Sequence, residues 1–178
     1  MHFRKLVGDK CYLSPLSVED AEQCTAWLND LEVVRNLSRV SAVIGLEAER
    51  EALEKIGREH NYAIVDLATE AMIGVCGFFD TDHLNGTAEL GIFIGDKAYW
   101  SRGYGREAMT LLLRYGFDYL NFENVLLRVY SFNARAIESY KRVGFREMGR
   151  RRRALKRERQ FFDVIYMDIT PEDLSGDA

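Results

Sequence analysis

A chain of 178 residues, 47% hydrophobic and 29% charged, has the size and composition of one compact soluble domain. Its net charge of −4 argues against nucleic acid as the main partner and suits a cationic small molecule or a basic peptide. Two prolines, no low-complexity segment, no repeat and no apolar run of membrane-spanning length predict a single domain over residues 1–178, with no linker and no membrane partner.

The opening MHFRKLVGDKCYL lacks the apolar core of a signal peptide, so the cytoplasm is the expected location. KCYLSPL reads as a strand. SVEDAEQCTAWLND reads as a helix with Ser17 as its N-cap and Asp20 three residues on, close to a capping box. GLEAEREALEKIG is a second helix, stopped by Gly57. It concentrates Glu47, Glu49, Glu51 and Glu54, which suit either a solvated face or the attraction of a cationic amine. NYAIVDLATEAMIGVCGFFD then gives two strands around a DLATE turn. In HLNGTAELGIFIG, Asn85-Gly86 is a two-residue hairpin signal before another strand.

From Tyr104 the period is helical, with Tyr104, Ala108, Leu111, Leu112, Tyr115 and Tyr119 on one face. NVLLRVY is a strand. NARAIESYKRVG is a helix capped by Asn133 and stopped by Gly144. The remainder to Thr170 reads as a long hairpin. The predicted order is β-α-α-β-β-β-α-β-α-β-β, an α+β fold with a mixed, mostly antiparallel sheet and helices on both faces.

Cys11, Cys24 and Cys76 form no C-x-x-C pair and lie far from the histidines, so no disulfide framework and no metal site are expected. They read as small buried hydrophobes. RRRRALKRER, residues 150–159, carries seven Lys/Arg against one Glu, and reads as a solvated hairpin arm rather than a nucleic-acid contact.

YWSRGYGREAM, residues 99–109, holds the most chemistry. Gly103 and Gly105 open a helix whose first N–H groups suit a diphosphate, with Arg102 and Arg106 adding charge. Gly103 to Ala108 also fits G-x-G-x-x-A, and Glu123 stands 20 residues after Gly103, where a dinucleotide's ribose partner belongs. Against that reading, GDKAYWSR separates the loop from its strand, and the loop does not belong to an opening β-α-β unit. No G-K-[ST] follows, which excludes a P-loop.

AELGIFIGDKAYWSRGYGREAM followed by NARAIESYKRVGF resembles the acetyl-CoA-binding core of the GNAT acyltransferases, here about residues 87–145. WLNDLEVVRNL and the final hairpin resemble the branch that includes ribosomal-protein N-terminal acetyltransferases and spermidine N-acetyltransferases. The resemblance covers essentially the whole chain. One position departs from it: Trp100 stands where that family often has Gln or Arg, although this branch also uses Trp there.

The resemblance implies acetyl-CoA as co-substrate, without a metal. The diphosphate falls to the backbone N–H groups of Arg102, Gly103, Tyr104, Gly105 and Arg106, and the pantetheine arm to backbone groups of Ile92, Phe93 and Ile94, with Asn133 as a side-chain contact. The departing thiolate needs an acid, and the match assigns Tyr140, although on pattern alone Tyr140 fits a core position beside Ala136 and Val143. Glu89 is the candidate base, through a water or otherwise, beside the reading of an exposed carboxylate and the alternative of proton loss to solvent. The acceptor is read as a protein or peptide N-terminal amine or a small cationic amine. A polyamine or aminoglycoside-like acceptor, and a non-catalytic acyl-CoA sensor, are the alternatives. Strand or helix faces allow a homodimer, and nothing in the sequence fixes one.

Overall fold

Two units share the chain in this computed structural model, which describes residues 1–38, 40–57 and 59–175. One comprises Met1–Phe78 with Gly91–Leu112, the other Phe79–Leu90 with Leu113–Ala178.

In the first unit, β1 (Leu6–Val7), β2 (Cys11–Pro15), β3 (Asn61–Asp66) and the start of β4 (Met72–Asp82) pair antiparallel in that order. Ser17 begins the first helical segment through a complete capping box with Asp20, across a short 3₁₀ turn that runs into α1 (Ala21–Leu28). α2 (Leu31–Val34) is capped by Asp30, and α3 (Leu46–Ile56) follows. Tyr12, Leu16, Ala63 and Val65 from the strand side close on Ala21, Cys24 and Leu53 from the helices. Each large apolar side chain removed from water in this way contributes about 1.5–3 kcal/mol.

In the second unit, the start of β5 (Thr87–Ile94) runs parallel to β6 (Asn124–Tyr130), joined by the crossover helix α4 (Tyr104–Tyr119) that a parallel pair requires. α5 (Ala134–Val143) follows β6, and the chain closes with β7 (Arg146–Arg157) and β8 (Gln160–Ile169). β6 and β7 both pair antiparallel to β8, giving the order β5-β6-β8-β7. Val125, Leu127 and Val129 alternate inward on β6, as do Ile165, Met167 and Ile169 on β8. The mixed, mostly antiparallel α+β sheet is as read from the sequence, and the element order matches with two additions. β1 and α2 span two and four residues, too short for a periodic signal.

Two expectations are corrected. The connection after β4 is four residues, His83–Gly86, not the two-residue Asn85-Gly86 hairpin. Asp82 causes this, because its carboxylate accepts from the N–H groups of Leu84 and Asn85 and from the Asn85 amide, which closes a wider turn. Tyr119 does not join the buried face of α4. It is 73% exposed and stacks on Tyr115, while Met109, Leu112 and Leu113 fill the buried stripe.

All three cysteines are buried, and burial drives the Cys11 and Cys24 thiols up to about 12. Arg150 to Arg153 are exposed along β7, and the arm turns at Glu158-Arg159, both at left-handed φ. Among the described residues no helix is long and apolar enough to cross a membrane, and no group of three His, Cys, Asp or Glu side chains is arranged to hold a metal.

Candidate active site

The glycine loop of the first unit is built by the residues around it. After β5 ends at Ile94, Asp96 caps a 3₁₀ turn over Lys97–Tyr99 by accepting from the Ala98 N–H. Trp100 then donates its indole N–H to the Ile94 carbonyl at 2.8 Å. The position that departs from the resemblance therefore ties the loop back onto the strand. Ser101 at φ 60° and Gly103 at φ 90° reverse the chain in the left-handed region, and Lys10 Nζ holds the Arg102 carbonyl at 3.1 Å. At Gly103 a side chain would be strained.

Gly105 differs. Its φ is ordinary, and an added Cβ would meet only Ile94 Cγ1, at 3.7 Å. Nothing in this chain's own packing demands glycine there. A bare backbone at the first turn of a helix is a cradle that a side chain would fill and a phosphate would use.

Two anchors aim that helix. Tyr104 donates its hydroxyl to the buried Asp66 at 2.7 Å, and this bond with the carboxylate, together with burial, drives the phenol up to about 12. Burial opposes ionisation of Asp66, but hydrogen bonds from Thr69 and Tyr104 outweigh it and hold the carboxyl below its usual value. Asp66 also receives both the N–H and the hydroxyl of Thr69, so the DLATE turn and the mouth of α4 share one carboxylate. Glu107, in the first turn, accepts from the N–H groups of Lys10 and Cys11 at 2.8 and 3.2 Å. Its own N–H closes onto Gly103 O, which leaves the N–H groups of Tyr104, Gly105 and Arg106 at the helix mouth with no carbonyl one turn back. The Arg102 guanidinium lies over the rings of Tyr99 and Tyr104, 5.5 and 5.8 Å from their centroids, and Arg106 is exposed. Sequence reasoning missed Asp66 and Glu107. An acid in a turn and one in a first helical turn are the local signals they leave. Ile92, Phe93 and Ile94 are half-buried at the end of β5, where Phe93 meets Trp27 edge to face.

The second unit holds the other singled-out residues. Asn133 caps α5 by accepting from the Ala136 N–H at 3.2 Å, which leaves its amide NH₂ end for another partner. Gly144, at φ 125°, ends the helix. Tyr140 is half-buried, 6.0 Å from the Phe145 ring between centroids, and its hydroxyl has no hydrogen-bond partner among the described residues. Burial pushes the phenol up to about 12, against the charge of Arg135. Glu89 is 8% exposed rather than solvated, and its Oε1 accepts from Arg128 Nε on β6. That bond holds the Arg128 guanidinium above its ordinary value. The β5/β6 register runs from Thr87↔Asn124 to Glu89↔Leu126, whereas β5 continues to Ile94 and β6 to Tyr130.

Residues 10–146 match the family model described as "Acetyltransferase (GNAT) domain". The uncharacterized N-acetyltransferase p20 of Bacillus licheniformis is 25% identical over 96% of this chain and 98% of its own length. A probable spermine N(1)-acetyltransferase of Bacillus subtilis subsp. natto is 29% identical over 58% of this chain and 72% of its own. Among solved structures, spermidine N-acetyltransferase from Vibrio cholerae, in complex with CoA and spermine, superposes with a TM-score of 0.84 at 20% identity, covering 93% of this chain and 98% of that one.

Proposed function

The chain belongs to the GNAT acetyltransferases, and on that premise we propose that it moves the acetyl group of acetyl-CoA to a primary amine by direct attack. The observation that carries the reading is the mouth of α4: amide hydrogens without intrahelical partners, a glycine that packing does not require, and a helix aimed by Tyr104 and Glu107.

When bound, acetyl-CoA supplies a thioester carbonyl open to an amine and a thiolate able to leave. The N–H groups of Arg102 to Arg106 hold the diphosphate, and the Arg102 guanidinium, set over two rings, adds charge. The backbone of Ile92, Phe93 and Ile94 pairs with the pantetheine amides as a strand edge would, and the end of the β5/β6 register at Glu89 supports that role. Asn133 offers its amide NH₂ end to the same arm.

Tyr140 keeps its proton throughout the neutral range and donates it to the departing sulfur. Glu89, with Oε1 held by Arg128, accepts the amine's proton at Oε2, directly or through a water. The acceptor is a small cationic amine or a peptide N-terminal amine. The relatives named for spermine and spermidine support the first. The cytoplasm is the proposed location.

Thermal shift with acetyl-CoA and NAD side by side, followed by thiol release with a panel of amines, tests this reading. Stabilisation by acetyl-CoA and amine-dependent release are expected. Stabilisation by NAD alone would overturn it, and acetyl-CoA binding without release to any amine would make the chain a sensor.

A further inference from the structure

In the second unit, the far end of β7 and the near end of β8 outrun the strand beside them. The β6/β8 register ends at Tyr130↔Val164, whereas β7 and β8 stay paired out to Arg157↔Gln160. At about 3.3 Å per residue the overhang from Phe162 to Gln160 is roughly 10 Å. Its root is fixed. The Ser131 N–H donates to Asp163 O at 3.0 Å, the Asp163 N–H donates back to Ser131 Oγ at 3.1 Å, and Phe132 meets Phe162 edge to face. Asn133 follows at once, capping α5, the helix that carries Tyr140. The arm therefore springs from the start of the segment that holds the proposed acid.

The charge on this arm is one-sided. Arg151, Arg152 and Arg159 are exposed and form no ion pair among the described residues. Arg153 Cζ and Lys156 Nζ lie over the Phe161 ring, 4.5 and 5.7 Å from its centroid. A cation on a ring face keeps its charge and its outward N–H donors. Phe161 is itself 49% exposed. Protection of an edge strand accounts for scattered charges and for the bulge between Arg151 and Leu155. It does not account for a half-exposed ring that orders two cations. Because the whole chain is acidic, at −4, the attraction for an anion is confined to this arm.

We propose that the arm docks an acidic stretch of a protein substrate and so presents that protein's N-terminal amine to the site. The proposal rests on the acetyl-transfer reading and selects the peptide from its two acceptors. Carboxylates within about the first six residues of the substrate would span the overhang in extended form. The N-terminal amine forms the C–N bond as the C–S bond breaks. It loses a proton, the sulfur gains one, and the products are the N-acetylated peptide and the free thiol. A polyamine would meet like charge along the arm, and a nucleic acid would meet an acidic surface around it.

The test uses the intact chain, acetyl-CoA, peptides with Glu, Gln or Lys at their third to sixth positions, spermidine, and a single-stranded RNA of the same charge as the Glu peptide. At low salt, kcat/KM for the Glu peptide should exceed that for the Gln peptide by about tenfold or more, and the ratio should fall to about threefold at about 0.5 M salt. The Lys peptide and spermidine should be the poorest acceptors. Arg151→Gln with Arg152→Gln and Lys156→Gln should bring the Glu-to-Gln ratio within about twofold, and Arg152→Glu with Lys156→Glu should favour the Lys peptide. A Glu peptide with a blocked N-terminus cannot react. Fluorescence anisotropy should show it binding the wild-type chain, and the triple variant about tenfold more weakly, with thermal shift by acetyl-CoA confirming that the variants are folded. Equal rates for the Glu and Gln peptides, a preference for spermidine, undiminished binding by the triple variant, or tighter binding of the RNA than of the blocked peptide would overturn the proposal. Absence of transfer to every amine would instead strike the acetyl-transfer reading, and the blocked peptide would still decide the arm.

Discussion

The mouth of α4 and the body of α5 are built on opposite plans. At α4, Tyr104 and Glu107 are spent on the protein itself, gripping Asp66, Lys10 and Cys11, and the groups left over for a ligand are backbone amides. At α5, the Asn133 side chain caps the helix through its oxygen, and the groups left over are side-chain ones, its amide NH₂ end and the hydroxyl of Tyr140, of which only the hydroxyl can give up a proton to a thiolate. Grip is therefore encoded as geometry, through glycines and anchors, whereas chemistry is encoded as one functional group. Substitutions should separate the two plans: those at α5 should change turnover, and those at α4 should change affinity or stability.

The sharpest separation is expected at Tyr140. Tyr140→Phe removes one oxygen and should lower kcat by about 10²–10⁴-fold while the affinity for acetyl-CoA stays within about twofold. Thiol release and calorimetry measure the two quantities. Turnover within about threefold of wild type would remove Tyr140 from the reaction and break the contrast. Glu89→Gln should cost less, about 10–10²-fold in kcat, and should abolish the acidic limb of the pH–rate profile. An unchanged limb would leave Glu89 as the structural partner of Arg128.

At α4 the signature is inverted. Gly105→Ala places a methyl where the fold has ordinary contact distance, so helix propensity should raise stability by about 0.5–1 kcal/mol. The same methyl occupies the phosphate cradle, and the Kd for acetyl-CoA should rise by about tenfold. A more stable protein that binds more weakly would mark a glycine kept for a ligand. Equal affinity would mean that the cradle lies elsewhere.

The sequence exposes this contrast unevenly. Caps are local, so Ser17 with Asp20, Asn133 and Gly144 are all readable within a few residues of the helices they bound. The apolar period likewise delivers every strand and helix long enough to show one. The anchors were not readable, because Asp66 reaches Tyr104 across 38 positions and Glu107 reaches Lys10 across 97, and no local pattern encodes such partners. Asn85-Gly86 misled because Asp82, just outside the dipeptide, widens the turn. Tyr119 misled because an aromatic residue in helical register is also satisfied by stacking on Tyr115 at the surface. Glu49, which the fold buries, carried a legible signal, an acid in an apolar stripe, but its neighbours Glu47, Glu51 and Glu54 made it look like one more solvated charge.

The smallest effect on turnover should come from Tyr104→Phe, which tests the anchor without touching the amides. Asp66 keeps its bonds from Thr69 but loses a buried donor, so the variant should be less stable by about 1–3 kcal/mol. A tilted helix mouth should then weaken acetyl-CoA binding only a few-fold. The pH dependence identifies the cause. The Tyr104 phenol titrates near 12 in the fold against 10 ordinarily, so below pH 10 both folded and unfolded chains hold the proton and the bond contributes in full. Between pH 10 and 12 the unfolded chain releases its proton while the folded chain keeps it, and stability falls. Tyr140, also raised to about 12, produces the same fall in both proteins and cancels in the comparison. The gap between wild type and Tyr104→Phe in urea unfolding should therefore narrow as pH rises through that window. A gap that stays constant would mean that Asp66 does not set the titration of this phenol, and α4 would then be aimed by Glu107 alone.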